Sequence, residues 1–533
     1  MIDPPAGPRI RPTHLRVEHL SAALGIDTTQ PRFSWWLPDG ARTQLAYRMR
    51  ADNGWDTGQV ESTDSILVEY AGAPLRSAER VTWQVKVWTD AGKSEWSDPH
   101  VFEMGLLGPD DWSAHWITPR EAELPSAGRR PAMLVRGEFE LPGAATVRAR
   151  LYATAHGIYE VFVNGRRAGD AELTPGYTEY RDRLQVQTCD VTDLLRPGRN
   201  AIGAILSDGW FRGQVGLPRA HDQWGSELAW LAQLHVELAD GTTVVAGTGN
   251  GWRGACSHIE AADLIAGESV DLRRRPEGWS EPGFDDSGWE RIAAADHGYA
   301  NLVASPAPPV RVVEELTPAS VRRVASGQVF DLGQNINGRV RLRDLGPAGT
   351  EITISHGEAV DAEGDVTTEH LDVDLPFIPE PLPAGQVDRV VSAGRPGEQF
   401  EPRHTTHGFR YVRVEGHPEA LGSDELTGVV VHTDLTRTGW FRCSDERVNR
   451  LHEAAVWSLR SNACDIPTDC PTRERAGWTG DWQIFVGTAA FLYDVAGFST
   501  KWLRDLAAEQ WDNGVVANLA PSPPSESEGG FVA

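Results

Sequence analysis

Lysine is almost missing from this chain: Lys86, Lys93 and Lys501 are the only three among 50 basic side chains and 533 residues. Codon usage accounts for that better than physics does, and no function follows from it. Cysteine is scarce as well. The five thiols (Cys189, Cys256, Cys443, Cys464, Cys470) are odd in number and form no CxxC pair, which argues against a disulfide framework and a zinc knuckle. A reducing, cytoplasmic setting is therefore expected. There is no run of about 18 apolar residues, so no membrane-spanning helix is expected, and the opening MIDPPAGPRI lacks the apolar core of a signal peptide. Positive charge is in deficit, with 50 basic against 76 acidic residues and a net charge of -26. Such a balance repels phosphate backbones and anionic bilayers, so neither nucleic acid nor membrane is an expected partner.

What remains is an ordinary globular composition, 40% hydrophobic and 24% charged. At a prior of roughly 150 residues per domain the length calls for three to four domains. Twenty tryptophans against nine tyrosines stand out, because indole faces stack on the C–H faces of sugars, although most tryptophans serve as core.

Up to about residue 435 the chain reads as short alternating segments broken by Gly, Pro, Asp and Asn turns, the pattern of antiparallel sandwiches. The clearest segment is VTWQVKVW, where Val81, Trp83, Val85 and Val87 alternate with Thr82, Gln84 and Lys86. In YEVFVNGRRAG, Asn164-Gly165 is a type I′ turn signal. The expected units are a fibronectin-III-like sandwich over 1–107, a jelly-roll-like domain with an N-terminal linker over 108–305, a third sandwich over 306–437 and a helical segment over 438–533. From Ser444, a plausible N-cap, the period changes: Val448, Leu451, Ala455 and Leu459 fall at helical spacing. Two further helices are expected over 481–493 and 499–511. These helices are rich in Trp482, Phe485, Phe491, Leu492, Trp502 and Leu506, and expose more apolar surface than the preceding sandwich can cover. Further chain is expected to cover it, with a partner protein as the alternative.

The densest set of chemistry-bearing residues lies between the first two of these helices: Asp465, Asp469, Arg473, Glu474, Arg475, Trp478 and Asp481. Carboxylates that accept from vicinal hydroxyls, an aromatic face for a ring, and one carboxyl of raised pKa to protonate a departing oxygen are what a glycoside pocket requires. The same residues read as a polar interhelical loop whose acids cap helices and pair with Arg473 and Arg475, and spacing alone does not separate the two.

The run Asp469-Cys470-Pro471-Thr472-Arg473-Glu474-Arg475, followed by Gly477-Trp478-Thr479-Gly480-Asp481, resembles the signature of bacterial α-L-rhamnosidases. Stretches such as YEVFVNGRRAGDAELTPGYTEYRDR, FDLGQNINGRVRL and HGFRYVRVEG are similar to that family's accessory β domains. The resemblance implies a multidomain chain: three antiparallel β-sandwich or jelly-roll domains followed by the first helices of an incomplete (α/α)6 catalytic barrel. It implies inverting hydrolysis of terminal α-L-rhamnose from glycosides or polysaccharides, with Glu474 as general acid and Asp469, Arg473, Trp478 and Asp481 lining the rhamnose pocket. An inverting enzyme also needs a second carboxylate, about 6.5–9.5 Å away, to activate water. In the family that base lies well beyond the signature. Glu509, Glu526 and Glu528, the only glutamates after Asp481, have no motif around them, so the base is expected outside this chain, which would then be inactive alone.

The resemblance implies no cofactor. The calcium-dependent sugar-binding module that some relatives insert before the second β unit is expected to be absent, because Trp116-Ile-Thr-Pro is separated from Met133-Leu-Val-Arg by only a short linker; no metal is expected. His404 and His407, three apart on a strand, would point to opposite faces and suit packing better than metal binding. Asp208-Gly209-Trp210 reads as a turn with a core Trp rather than a sugar-stacking loop. Two other functions fit the residues: a non-catalytic carbohydrate-binding protein with a degenerate helical remnant, or another inverting (α/α)6 glycosidase of different specificity.

Overall fold

Strict alternation shapes the first unit. In the computed structural model, which describes residues 10–121, 124–374 and 380–524, Arg80–Thr89 buries every second side chain, and Val81, Trp83, Val85 and Val87 meet Phe33, Trp35 and Phe102 in one core. A three-stranded and a six-stranded sheet enclose that core.

Two six-stranded sheets form the second unit. The chain passes between them at Gly157: Thr146–His156 belongs to one sheet and Ile158–Val163 to the other. A Cβ on Gly157 would lie 2.4 Å from the Ser207 carbonyl oxygen, so only glycine fits this crossing. The Asn164-Gly165 hairpin forms with positive φ at both residues, 50° and 81°, as a type I′ turn requires.

The third unit departs from expectation. It is a single nine-stranded sheet rather than a two-sheet sandwich, and it recruits Ile259–Asp263 and Gly267–Asp271 from upstream. Gly267–Asp271 pairs parallel to Val387–Val391 in an otherwise antiparallel sheet, because a long crossover, not a hairpin, joins them. The strand Gln328–Leu342 breaks register between Asp331 and Ile336, a bulge that bends it. No second sheet is needed over the apolar face, because Leu134, Ile205 and Trp279 of the jelly-roll pack into the same core as Phe330, Ile336 and Phe409. Ion pairs flank this junction: buried Arg339 lies 2.9 Å from Glu172 and 2.8 Å from Glu401.

The described residues hold four α-helices: a short α1, Gly209–Arg212, and three at the C-terminal end, α2 (Glu446–Ser461), α3 (Thr479–Leu492) and α4 (Ala496–Ala508). The N-cap of α2 is Asp445, not Ser444: its carboxylate accepts from the Arg447 N–H at 2.9 Å. The α2 face also differs. Val456 and Leu459 are buried, whereas Val448 and Leu451 are exposed, the latter at 69%, because the helix rests on Gln328–Leu342 with a face rotated from the simple apolar stripe. Ile484, Phe491 and Leu503 are exposed as well. None of the described helices is long and apolar enough to cross a membrane, and all five cysteines are free thiols.

One of the three lysines locks α4 to the jelly-roll. The ammonium of buried Lys501 donates to the Asp465 carboxylate (2.8 Å) and to the carbonyls of Tyr177 (2.6 Å) and Asp465 (3.1 Å). Lys501→Met would leave that carboxylate buried without its cation, and breaking such a pair costs about 3–5 kcal/mol. The urea midpoint should fall accordingly, with the slope unchanged.

Candidate active site

The segment between α2 and α3 is built by its backbone. After the cap at Asn462, Ala463–Cys464 and Ile466–Pro467 form a minimal hairpin with Asp465 at φ 67°. Asp469 then closes the following loop twice: its N–H donates to the Ala476 carbonyl at 3.0 Å, and its carboxylate accepts from the Ala476 N–H at 3.0 Å. The intervening residues are forced into a tight bend that carries Glu474 back toward Asp469.

Glu474 is 5% exposed. One carboxylate oxygen accepts from the Arg473 Nε at 2.7 Å, the other from the Trp478 indole N–H at 3.2 Å. Asp469 hydrogen-bonds with the same carboxyl group, and burial together with that neighbour raises the Asp469 pKa to about 7. Two carboxyls this close cannot both ionise freely, which is why the Asp469 carboxyl holds its proton toward neutrality. The Cys470 thiol completes a cluster with Asp469 and Glu474 whose ligand atoms lie within 4.8 Å of one another. A carboxyl of raised pKa set beside a second carboxyl suits this cluster to holding a proton.

The two arginines flanking Glu474 behave differently. Arg473 contacts it, whereas Arg475, at φ 53°, turns away and donates to the Leu264 carbonyl at 2.6 Å. Burial lowers the Arg475 pKa to about 10. Trp478, half-buried, stands at the N-cap of α3. Asp481 is exposed in the first turn of that helix, and no hydrogen bond or ion pair among the described residues joins it to the Asp469–Glu474 pair. Glu474, Arg473, Trp478 and Asp469 thus converge, while Asp481 stands apart.

Residues far away in sequence complete the support. Arg219 of the jelly-roll donates to the Arg473 carbonyl. Trp210 in α1 is core, stacked on Tyr177 at 5.4 Å, yet it lines, with Glu474 and Arg475, a cavity of about 20 Å³, room for roughly one water. A larger cavity of about 550 Å³ runs along α2 and touches the loop at Pro471. No local signal announced Arg219 or Leu264, because both act through backbone carbonyls across domains. His404 is hydrogen-bonded to Ser207 at 2.7 Å, and His407 to Asp388 at 3.0 Å, so the two histidines face different partners.

Four family models match along the chain: a Rha78A-like N-terminal immunoglobulin domain over 12–108, an α-L-rhamnosidase N-terminal domain over 144–314, a bacterial α-L-rhamnosidase concanavalin-like domain over 322–432, and a bacterial α-L-rhamnosidase six-hairpin glycosidase domain over 436–531. The chain belongs to the bacterial α-L-rhamnosidase family. It is 33% identical to an α-L-rhamnosidase of Streptomyces avermitilis, over 96% of this chain and 66% of that one, and 32% identical to one from Formosa agariphila, over 95% and 56%. Among solved structures, the Streptomyces avermitilis α-L-rhamnosidase complexed with L-rhamnose superposes with a TM-score of 0.89 over 96% of this chain and 66% of that one, at 32% identity. The Aspergillus terreus α-L-rhamnosidase superposes with a TM-score of 0.90, at 36% identity, over 97% and 60%. The chain thus spans between 55% and 66% of the length of the curated family members it matches.

Proposed function

We propose that this chain carries the acid side of an inverting α-L-rhamnosidase acting on terminal α-L-rhamnose of glycosides or polysaccharides. The observation that carries the reading is the proton-sharing Asp469–Glu474 pair inside the family's signature loop, with Trp478 and Arg473 on the Glu474 carboxylate. That a similar structure holds L-rhamnose supports the choice of sugar.

In this reading Glu474 passes the proton of the pair to the departing glycosidic oxygen. As it does so, negative charge develops on Glu474, and the Arg473 guanidinium and the Trp478 N–H already point at the oxygens that receive it. Asp469 holds the proton between turnovers. The exposed Asp481 waits at the N-terminus of α3 for a sugar hydroxyl. The scissile oxygen must come within about 2.6–3.2 Å of Glu474 for this transfer.

We assign no general base among these residues. Burial and the neighbouring Glu179 carboxylate raise Glu509 to about 9, and a carboxyl that stays protonated at neutral pH cannot activate water. Glu526 and Glu528 lie outside the described residues. The helices α2 to α4 are read as the opening of an (α/α)6 barrel that follows three β-rich units. The test is release of the leaving group from an aryl α-L-rhamnoside. These 533 residues alone are expected to show none, and an active protein that contains them is expected to act on α-L-rhamnosides. No turnover of any α-L-rhamnoside by such a protein would overturn the reading.

Glu509 also gives a pH prediction. Its folded pKa lies above the unfolded value, so its contribution to stability is complete below about 4.5 and is lost as pH rises through about 9. Between pH 7 and 9 this group should remove about 1.4 kcal/mol of stability per pH unit, and Glu509→Gln should flatten that slope in denaturant titrations.

A further inference from the structure

Three side chains from three adjacent strands of the nine-stranded sheet converge close to the signature loop: His356 on Glu351–Gly357, Asp388 on Val387–Val391 and His407 on His407–Glu415. All three are 0% exposed, and one ligand atom from each lies within 4.8 Å of the other two. Their hydrogen bonds do not balance. The Nδ1 of His356 sits 3.0 Å from the Gln386 carbonyl, an oxygen that only accepts, so Nδ1 carries the proton and Nε2 of the neutral ring presents a lone pair. That Nε2 has no hydrogen-bond partner and faces the Asp388 Oδ2 at 3.8 Å. The same oxygen lies 3.0 Å from the His407 Nε2. An acceptor facing a carboxylate in a buried site is costly unless positive charge lies between them.

We infer that His356 Nε2, Asp388 Oδ2 and His407 Nε2 bind a divalent first-row transition metal of the zinc class. Two imidazoles and one carboxylate suit such an ion, whereas calcium and magnesium demand mostly oxygen ligands. The surroundings orient two of the three ligands: the Gln386 carbonyl fixes His356, and the Glu268 N–H holds Asp388 Oδ1 at 2.8 Å, while His407 Nδ1 is buried without a hydrogen-bond partner. The three protein ligands leave the fourth position of a tetrahedral ion to a water or other small ligand, and with all three side chains buried the ion would tie together three strands at the point where they support the signature loop. Gly408, next to His407, is fixed by Gln386 through hydrogen bonds of 2.9 Å on both its N–H and its carbonyl, and it packs directly on Pro471 and Thr472. The metal replaces the absence expected from the sequence, and it does not depend on the rhamnosidase reading.

The test is elemental analysis of the chain purified without a histidine tag, then desalted. Stoichiometric zinc is expected. It should be lost in His356→Ala and in His407→Ala, each checked for folding by circular dichroism. Chelator treatment should lower the melting temperature of the parent chain by several degrees, and zinc should restore it. Cobalt(II) added to the metal-depleted chain should give a visible absorption band that zinc displaces. Only traces of metal, both as purified and after incubation with zinc, would overturn the inference. Stoichiometric metal retained by both folded variants would also overturn it, placing the ion elsewhere, for example at Asp469, Cys470 and Glu474.

Discussion

In an active protein that contains these residues, Glu474→Gln is expected to lower kcat for an α-L-rhamnoside by about 10²–10⁴-fold, the range for loss of a positioned general acid, while L-rhamnose binding changes little. The amide matches the carboxyl in shape and keeps an oxygen for the Trp478 N–H, 3.2 Å away in the parent. It cannot release a proton. The size of the loss should depend on the leaving group: an aryl oxide with a low pKa departs without much help, whereas a sugar alkoxide needs the proton. The variant should therefore retain more of its activity on an aryl rhamnoside than on a rhamnosyl disaccharide. A uniform loss on both, accompanied by weaker binding, would mean that Glu474 positions the sugar rather than protonating the oxygen.

In the same active protein, Gly408→Ala is expected to lower kcat substantially although residue 408 is buried in a strand behind the loop. A Cβ there would lie 2.6 Å from the Pro471 Cγ, 2.6 Å from the Thr472 Cγ2 and 2.9 Å from the Pro471 carbonyl carbon. Two of these atoms belong to the ends of short side chains, but the third is backbone, so the loop itself must move. Overpacking of this kind costs about 1–3 kcal/mol of stability. The larger effect is on geometry. Pro471 and Thr472 lie between Asp469 and Glu474, and a displacement of roughly 1 Å at a catalytic group can cost about 10²-fold. Equilibrium unfolding together with kinetics separates the two: a variant that melts slightly earlier yet loses most of its turnover at 25 °C supports loop displacement. Unchanged turnover would show that the loop can yield without moving the acid.

Much of this arrangement was legible in the residues. The change of period after Cys443 marks α2, although its cap fell one residue later, because Asp445, not Ser444, reaches the Arg447 N–H. The stripe through Val448 and Leu451 was a poorer guide, since which helical face is buried depends on the strand Gln328–Leu342 that the helix meets. The signature loop brought Asp469, Arg473, Glu474 and Trp478 forward by resemblance, whereas their spacing alone allowed a simple polar loop. That Arg475 turns away from Glu474 follows from a positive φ, which sequence does not display. Strand pairing across long separations was harder still. The parallel partner of Gly267–Asp271 and the meeting of His356, Asp388 and His407 arise from the order of strands in one sheet, and no local periodicity records that order. His404 and His407, expected to point apart, do have different partners, Ser207 and Asp388.

Whether Asp469 and Glu474 share a proton near neutral pH can be read from a carbon-13 NMR titration of the side-chain carboxyls in the chain as it stands. The account predicts one carboxyl resonance with a midpoint of about 7 that moves to lower pH in Glu474→Gln, where the neighbouring negative charge is gone. If both carboxyls are fully ionised by about pH 5, where ordinary aspartates and glutamates have already titrated, the pair holds no proton to give and the assignment of Glu474 as the acid is wrong.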